Sequence, residues 1–365
     1  MKFSISKEAF QDGLGQVQNV VSTRTTLLIL SNVLLEARDG ELQLTTTDLD
    51  VGVTGKVAAE VSADGSSTLP ARRLSSIIRE LPANDIEVEI DKDNIATIVS
   101  GPSRFRIFGL SEEEFPPLPT FDEAKEFKID QSVLKDALKK TAYAISTDES
   151  RYVLNGIMWS FKGSNLTLVA TDGRRLAMVE IETEFPESHE TEVIIPTKAI
   201  NELQRLLTDE GEVKVLVGES QIGFQINDNT LVSKLIDGNY PNYNQVIPDE
   251  SKIRITLERE TFLRVIQRVS LLASDKSNSV KLSFDDNRIE ISANSPDVGE
   301  AQETLPVQYE ADPITIAFNP EFLMAPLRNL DEDAVYLHLI DEMSPGVLRI
   351  EGSFLYVLMP MRVSQ

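Results

Sequence analysis

The chain has 365 residues, 41% of them hydrophobic and 26% charged, with 59 acidic against 35 basic side chains for a formal charge of -24. That length exceeds one ordinary core of roughly 100 to 150 residues and predicts two or three domains. The lack of cysteine excludes disulfides, thiolate zinc sites and cysteine nucleophiles, and the acidity excludes a surface that grips phosphates broadly. No stretch approaches the ~20 apolar residues of a membrane span, and residues 1–10 (MKFSISKEAF) lack the apolar run of a signal peptide. A cytoplasmic globular protein with no membrane partner is expected.

In chain order, residues 3–14 (FSISKEAFQDGL) alternate polar with apolar and then set Phe10 and Leu14 four apart, the change of period from strand to amphipathic helix. Residues 44–50 (LTTTDLD) form a strand ending in a small polar turn at Asp48. Pro70-Ala71-Arg72 opens a second helix, where proline suits a first turn, and Phe115-Pro116 closes the unit. The series then recurs at a spacing of about 124 residues. Its second copy has 127–138 (FKIDQSVLKDAL), 168–174 (LVATDGR) with Asp172, Pro196-Thr197-Lys198 and Tyr240-Pro241. The third has 255–266 (ITLERETFLRVI), 291–297 (ISANSPD) with Ser295, Asn319-Pro320-Glu321 and Met359-Pro360. Short alternating strands with turn signals fill the intervals, and the charged, proline-containing stretches near 111–127 and 246–255 read as linkers. The expected fold is α+β: three repeats at 1–124, 125–249 and 250–365, each with two helices packed on antiparallel sheets.

Basic residues recur on equivalent helical faces. Arg72 and Arg79 lie seven apart in the first repeat, and Lys198 and Arg205 hold the equivalent positions in the second. The pattern weakens in the third, which has Glu321 and Arg328. The first helices of the later repeats add Lys135, Lys139, Lys140, Arg264 and Arg268.

Seven strings in order, Thr47-Asp48-Leu49, Pro70-Ala71-Arg72, Ser103-Arg104-Phe105, residues 151–156 (RYVLNG), 170–177 (ATDGRRLA), 233–238 (SKLIDG) and Met359-Pro360-Met361-Arg362, resemble the beta subunit of bacterial DNA polymerase III, the sliding clamp, across the whole chain. The resemblance implies the DNA clamp fold in a head-to-tail homodimer, a ring lined by twelve helices that encircles double-stranded DNA without sequence preference. Such a processivity factor tethers the replicative polymerase, the clamp loader and repair proteins through their clamp-binding peptides, with no catalytic residue, metal or cofactor. The resemblance places DNA contacts at Arg24 and in the loop of residues 148–152 with Tyr152, and on the helices that would line such a ring the equivalence of the repeats adds Arg72, Arg79, Lys198 and Arg205. The partner-peptide groove maps onto Leu154, Thr171, Gly173, Arg174, Arg175, Leu176, Pro241, Val246, Val357, Met359, Pro360, Met361 and Arg362, whose Met and Leu side chains suit several apolar partners. The dimer seam maps onto Phe105, Ile107, Leu271 and Leu272, with Arg73, Arg104 and Arg106 opposite Glu300 and Glu303. The chain departs from the family pattern at Leu28, where proline is common, at Arg174, where histidine is familiar, and at Gln245.

Two rival classes account for less. An enzyme would have to work with two histidines in unrelated contexts, His189 and His338, and with neither a nucleophile turn nor a phosphate loop. Asp48, Asp50 and Gly52 lack the later ligands of a calcium loop, and a carboxylate-only nuclease leaves the repeat unexplained. A peptide-binding scaffold of the same fold that ignores DNA is opposed by the equivalent Arg and Lys residues on successive helices.

Overall fold

The computed structural model describes residues 1–22, 26–82, 85–121, 123–248, 253–273 and 278–362. The first repeat contains β1 (Lys2–Ser6), α1 (Lys7–Val17), β2 (Asn32–Arg38), β3 (Glu41–Thr47), β4 (Val51–Ala58), β5 (Glu60–Ala63), β6 (Gly65–Pro70), α2 (Ala71–Glu80), β7 (Asp85–Ile90), β8 (Ile95–Ser100) and β9 (Ser103–Phe108). The second follows with β10 (Lys125–Asp130), α3 (Gln131–Thr141), β11 (Gly156–Lys162), β12 (Asn165–Thr171), β13 (Arg175–Glu182), β14 (Thr191–Pro196), α4 (Thr197–Leu206), β15 (Glu212–Val217), β16 (Gln221–Ile226) and β17 (Asn229–Lys234). The third has β18 (Ile253–Glu258), α5 (Arg259–Val269), β19 (Val280–Asp285), β20 (Arg288–Ser295), β21 (Gly299–Pro306), β22 (Ile314–Phe318), α6 (Pro320–Asn329), β23 (Ala334–Leu339), β24 (Gly346–Arg349) and β25 (Leu355–Leu358). Each repeat thus supplies a strand running into a helix and, later, a second helix. Among the described residues no helix is long and apolar enough to cross a membrane.

Local chemistry explains the helix starts. Ser6 Oγ accepts from the Ala9 amide at 3.2 Å, the Glu258 carboxylate from Glu260 and Thr261 at 3.1 and 2.7 Å, and Asn319 Oδ1 from Glu321 and Phe322 at 2.9 and 3.3 Å. Each side chain satisfies amides that a first helical turn leaves without partners. The prolines behave less uniformly than expected. Pro320 is inside the first turn of α6, but Pro70 is the residue before α2 and Pro196 ends β14. A ring-fixed φ near -65° suits a strand end as well as a first turn.

The chain forms two compact units, one of Met1–Lys135 with Lys198–Leu235, the other of Asp136–Thr197 with Ile236–Gln365. The first unit holds a five-stranded sheet, β5-β1-β7-β8-β9, and an eight-stranded one, β10-β15-β16-β17-β4-β3-β2-β6. The second holds an eight-stranded sheet, β14-β11-β12-β13-β25-β24-β23-β18, and a four-stranded one, β21-β20-β19-β22. Each large sheet therefore joins strands of two repeats, through β17 against β4 in one unit and β25 against β13 in the other. The apolar stripes Phe10, Leu14, Val17 of α1 and Phe262, Val265, Ile266, Val269 of α5 are buried. Stripes of this size, at about 1.5 to 3 kcal/mol per buried large side chain, are what fasten helices to sheets.

The expected linker near 111–127 is not a loose connection. Phe115 is buried against Ile29 and Leu30, and residues 125–127 already belong to β10. Of the second expected linker, residues 249–252 lie outside the described residues.

Candidate functional site

Thr171 and Asp172 close the β12–β13 turn with their own side chains. Thr171 Oγ1 donates to the Arg175 carbonyl at 2.6 Å and accepts from the Gly173 amide at 3.1 Å, while Asp172 Oδ1 accepts from the amides of Arg174 and Arg175 at 2.9 and 3.1 Å. Gly173 takes φ +83°, and a Cβ there would stand 2.8 Å from Arg151 Nη1. The left-handed φ favours glycine here, and a side chain would also displace the Arg151 guanidinium. Arg151 holds the turn from outside, donating to the Asp172 carbonyl at 3.0 Å and to Asp148 Oδ2 at 3.1 Å.

Beyond this turn β13 pairs with β25, setting Leu176 opposite Val357, and the Met359 amide donates to the Arg174 carbonyl at 3.0 Å. Under them is one apolar cluster of Met158, Val169, Leu176, Val347, Leu355 and Val357, with Met178, Tyr240, Tyr243 and Ile247 partly buried against it. Leu154 is also buried. Val246 and Met359 are 45% and 43% exposed, Pro241 and Arg174 are exposed, and Pro360 and Met361 are half-buried. Arg362 is exposed at the end of the described residues. The Met361 amide is tied down by the Ala317 carbonyl at 2.8 Å. An apolar floor with exposed apolar residues at its edge suits a short peptide with apolar anchors.

Arg175 stands apart from the other expected groove residues. Its guanidinium donates to Asp172 Oδ2 at 3.0 Å and to the Tyr143 carbonyl at 2.6 Å, and lies 4.4 Å from the Phe322 ring centroid. It holds the turn in place rather than facing solvent. Sequence reasoning also missed Tyr240, Tyr243 and Ile247 in the wall; Tyr240 precedes the repeat's closing proline, a signal that could have found it.

The expected DNA contacts divide sharply. Arg72 and Arg79 are exposed on α2, as is Arg73 of the expected seam, with Arg79 3.6 Å from Glu80, and Tyr152 is 58% exposed. Lys198 instead donates to the Val20 carbonyl at 3.0 Å and to Asp48 Oδ2. Burial raises the Asp48 pKa, but the Lys198 bond and the backbone amides of Val51 and Asp50 outweigh it and hold the carboxyl below its usual range. Arg205 donates to Glu202 Oε2 at 2.9 Å, to the Gly15 carbonyl at 3.2 Å and to the Gln16 carbonyl. Those carbonyls belong to the last turn of α1, which has no basic residue of its own, so Arg205 caps its negative end. Arg79 and Arg205 nevertheless border one recess of about 440 Å³ with Gln11, Gln16 and Gln18. Arg24 lies outside the described residues.

The remaining helix cations are paired too: Lys135 with Asp209 at 2.7 Å, Lys139 with Asp331 at 2.7 Å, Lys140 with Asp136 and Glu332 at 2.9 and 3.0 Å, and Arg264 with Glu260. Among the described residues no group of three side chains could hold a metal ion.

Both expected seam strands are sheet edges. In β9, Phe105 is 39% and Phe108 69% exposed, Arg104 and Arg106 are exposed and Ile107 is half-buried. In β21, Glu300 is exposed, but Glu303 accepts two bonds of 2.7 Å from Arg268 of the same chain. The Arg268 bond keeps the Glu303 carboxyl below its usual range. Leu271 is 80% exposed and Leu272 half-buried in the turn after α5. Phe108 and Val298, at 72% exposed, are further apolar residues at these edges.

Repeated two-helix units whose sheets run on from one repeat into the next, with an apolar groove at one such junction and open edges on two other sheets, define the DNA-clamp class of fold. Models of the DNA polymerase III beta subunit match the chain in sequence: the N-terminal domain over residues 1–119, the central domain over 128–242 and the C-terminal domain over 244–362. The beta sliding clamp of Chlamydia muridarum is 36% identical over 363 residues, covering 100% of this chain and 99% of the relative. Sliding clamps from Bartonella birtlesii and Pseudomonas aeruginosa, both solved bound to griselimycin, superpose with TM-scores of 0.95 and 0.96 at 36% and 34% identity, each covering 100% of both chains. The chain belongs to the DNA polymerase III beta subunit family, the bacterial sliding clamps. As such it is a processivity factor of DNA replication.

Proposed function

We propose that two copies of this chain close head to tail, β9 of one against β21 of the other, into a ring that surrounds duplex DNA without catalysis. The observation that carries this reading is the pair of open edges. An exposed edge invites strand pairing, and closing the ring removes both edges at once. Arg73, Arg104 and Arg106 would face the exposed Glu300, while Phe105, Ile107, Leu271 and Leu272 supply the apolar centre; such charge pairs set register more than affinity. Glu303 joins the seam already bound to Arg268, so its part is to order the edge of its own sheet.

The DNA is held by topology. Arg72, Arg79 and Tyr152 offer a few exposed contacts inside an acidic body, which gives a shallow attraction without sequence preference. Lys198 and Arg205 contribute to the local potential from their structural positions, and Arg24 adds a further cation by resemblance alone. The groove around Leu176, Val357 and Met359 receives the clamp-binding peptides of replicative polymerase, clamp loader and repair proteins in the cytoplasm; the griselimycin-bound clamps support a ligand site in this fold. Domains at 1–124, 125–249 and 250–365 follow the repeat.

Protein loaded on nicked circular DNA should resist dilution and be released when the circle is cut, and sedimentation should show a dimer that Leu272→Ala weakens. A chain that is monomeric at micromolar concentration, or that binds short linear duplexes tightly and selectively, would overturn the reading.

A further inference from the structure

The junction of β17 with β4 repeats the junction of β25 with β13 bond for bond. Val232 lies opposite Gly52 as Val357 lies opposite Leu176. The Lys234 amide donates to the Asp50 carbonyl at 2.8 Å as the Met359 amide does to that of Arg174 at 3.0 Å. Thr47 Oγ1 donates to the Val51 carbonyl at 2.9 Å and accepts from the Leu49 amide at 3.1 Å, and Asp48 Oδ1 accepts from the amides of Asp50 and Val51 at 3.0 and 2.8 Å. These are the bonds Thr171 and Asp172 make. The first junction is thus a second copy of the groove's backbone.

What differs is the occupant. The segment following Phe115 lies across the first junction: a Cβ on Gly52 of β4 would overlap Leu118, and one on Gly223 of β16 would stand 2.8 Å from the Phe121 ring. Glycine inside a strand is unfavourable unless something approaches closely, and here two glycines on either side of β17 seat the two apolar side chains of one segment. At the second junction Leu176 fills the space that Gly52 leaves empty. Beside the segment remains a recess of about 410 Å³, lined by the 47–52 turn, by 116–120 and by 232–234.

We propose that residues 115–121 (FPPLPTF) are a built-in ligand that keeps this first-repeat counterpart of the partner groove closed, so that partner peptides occupy one groove per chain. The partner is an extended, proline-rich apolar peptide, since that is what the site already holds; the inference rests on the partner-groove reading above. The proline-fixed backbone lowers the entropy lost on seating.

The test uses the full chain, the double variant Leu118→Ala with Phe121→Ala, and a labelled peptide of sequence FPPLPTF read by fluorescence anisotropy. The double variant should gain one site per chain, with affinity on the order of tenfold or more above any binding to the unaltered protein. That site should survive deletion of residues 359–365, which strips the partner groove of its Met359 edge, and vanish when Gly52→Leu fills the Leu118 seat. If the deletion leaves binding of a clamp-binding peptide to the unaltered chain unchanged, the partner-groove reading fails; the gain or absence of the new site is read separately. Should the double variant lose cooperative unfolding, Leu118→Ala alone provides the same measurement. A folded variant that gains no site, or an unaltered chain that already binds the peptide after the deletion, overturns the proposal.

Discussion

The turns at 47–51 and 171–175 share a backbone and a set of threonine and aspartate bonds, yet one is covered by its own chain and the other lies open. The difference is decided just past the turn. Gly52 leaves a gap that Leu118 enters, whereas Leu176 fills its own gap and leaves Met359 and Val246 exposed beside it. The turns themselves are held differently as well. Arg175 pins the second from within, and at the equivalent place the first has Val51 and takes its cation, Lys198, from the start of α4. A repeat can therefore keep its hydrogen bonding while single side chains choose between a structural contact and a binding surface.

The largest effect should come from removing residues 359–365. Loss of the Met359 bond to Arg174 and of the apolar edge should weaken an apolar clamp-binding peptide by about a hundredfold, roughly 2.7 kcal/mol, in anisotropy titrations, with the dimer retained; unchanged affinity would mean the open junction is not the peptide site. Arg175→Met should come next. It strips Asp172 and the Tyr143 carbonyl of a largely buried partner, for an expected loss of about 2 kcal/mol in urea unfolding, and Val51→Met, its counterpart at the first turn, should cost clearly less. Equal costs would erase the contrast between the two turns.

Acid should discriminate the first turn through Asp48. Its folded pKa is depressed, so its contribution to stability is fully present above the usual carboxylate value of 3.8 and is lost as pH falls through the lower folded value. The stability difference between the natural chain and Asp48→Asn should therefore shrink as pH drops below 3.8 in acid-unfolding scans; a constant difference would remove the Lys198 contact from the account. The smallest effect concerns Leu49, which takes φ +80° where the second turn has Gly173. Leu49→Gly should relieve left-handed strain of about 1 kcal/mol, partly offset by the greater freedom of glycine in the unfolded chain. The net gain in melting should be slight, and the reverse change, Gly173→Leu, should destabilise through both φ and the contact with Arg151.

The repeat was legible because its signals are local: a switch of hydrophobic period at Phe10 and Leu14, a proline opening a helix at Pro320, a polar turn at Asp48 and Asp172. Thr171, Leu176 and Met359 were expected in the groove because they sit in those same landmarks, and the structure brings them to one junction. Tyr243 and Ile247 were missed because they lie in a stretch without periodicity, whose packing depends on strands from the third repeat. The charged positions were the least legible. Equivalence along the sequence set Lys198 and Arg205 beside Arg72 and Arg79, but the first two are bonded to carbonyls of Val20, Gly15 and Gln16.

By itself the sequence determined three copies of a strand-and-helix unit, an acidic body and the places where the chain turns, since each rests on residues a few positions apart. Only the tertiary structure decided which cations are committed to internal partners, that Glu303 is held by Arg268, and that residues 115–121, while linking two repeats, also cover a junction. Those outcomes depend on side chains brought together from as far apart as Lys139 and Asp331, 192 positions along the chain. A charge or an apolar residue carries no mark of whether a partner will meet it; burial and approach set that, and they exist only once the sheets of neighbouring repeats have joined.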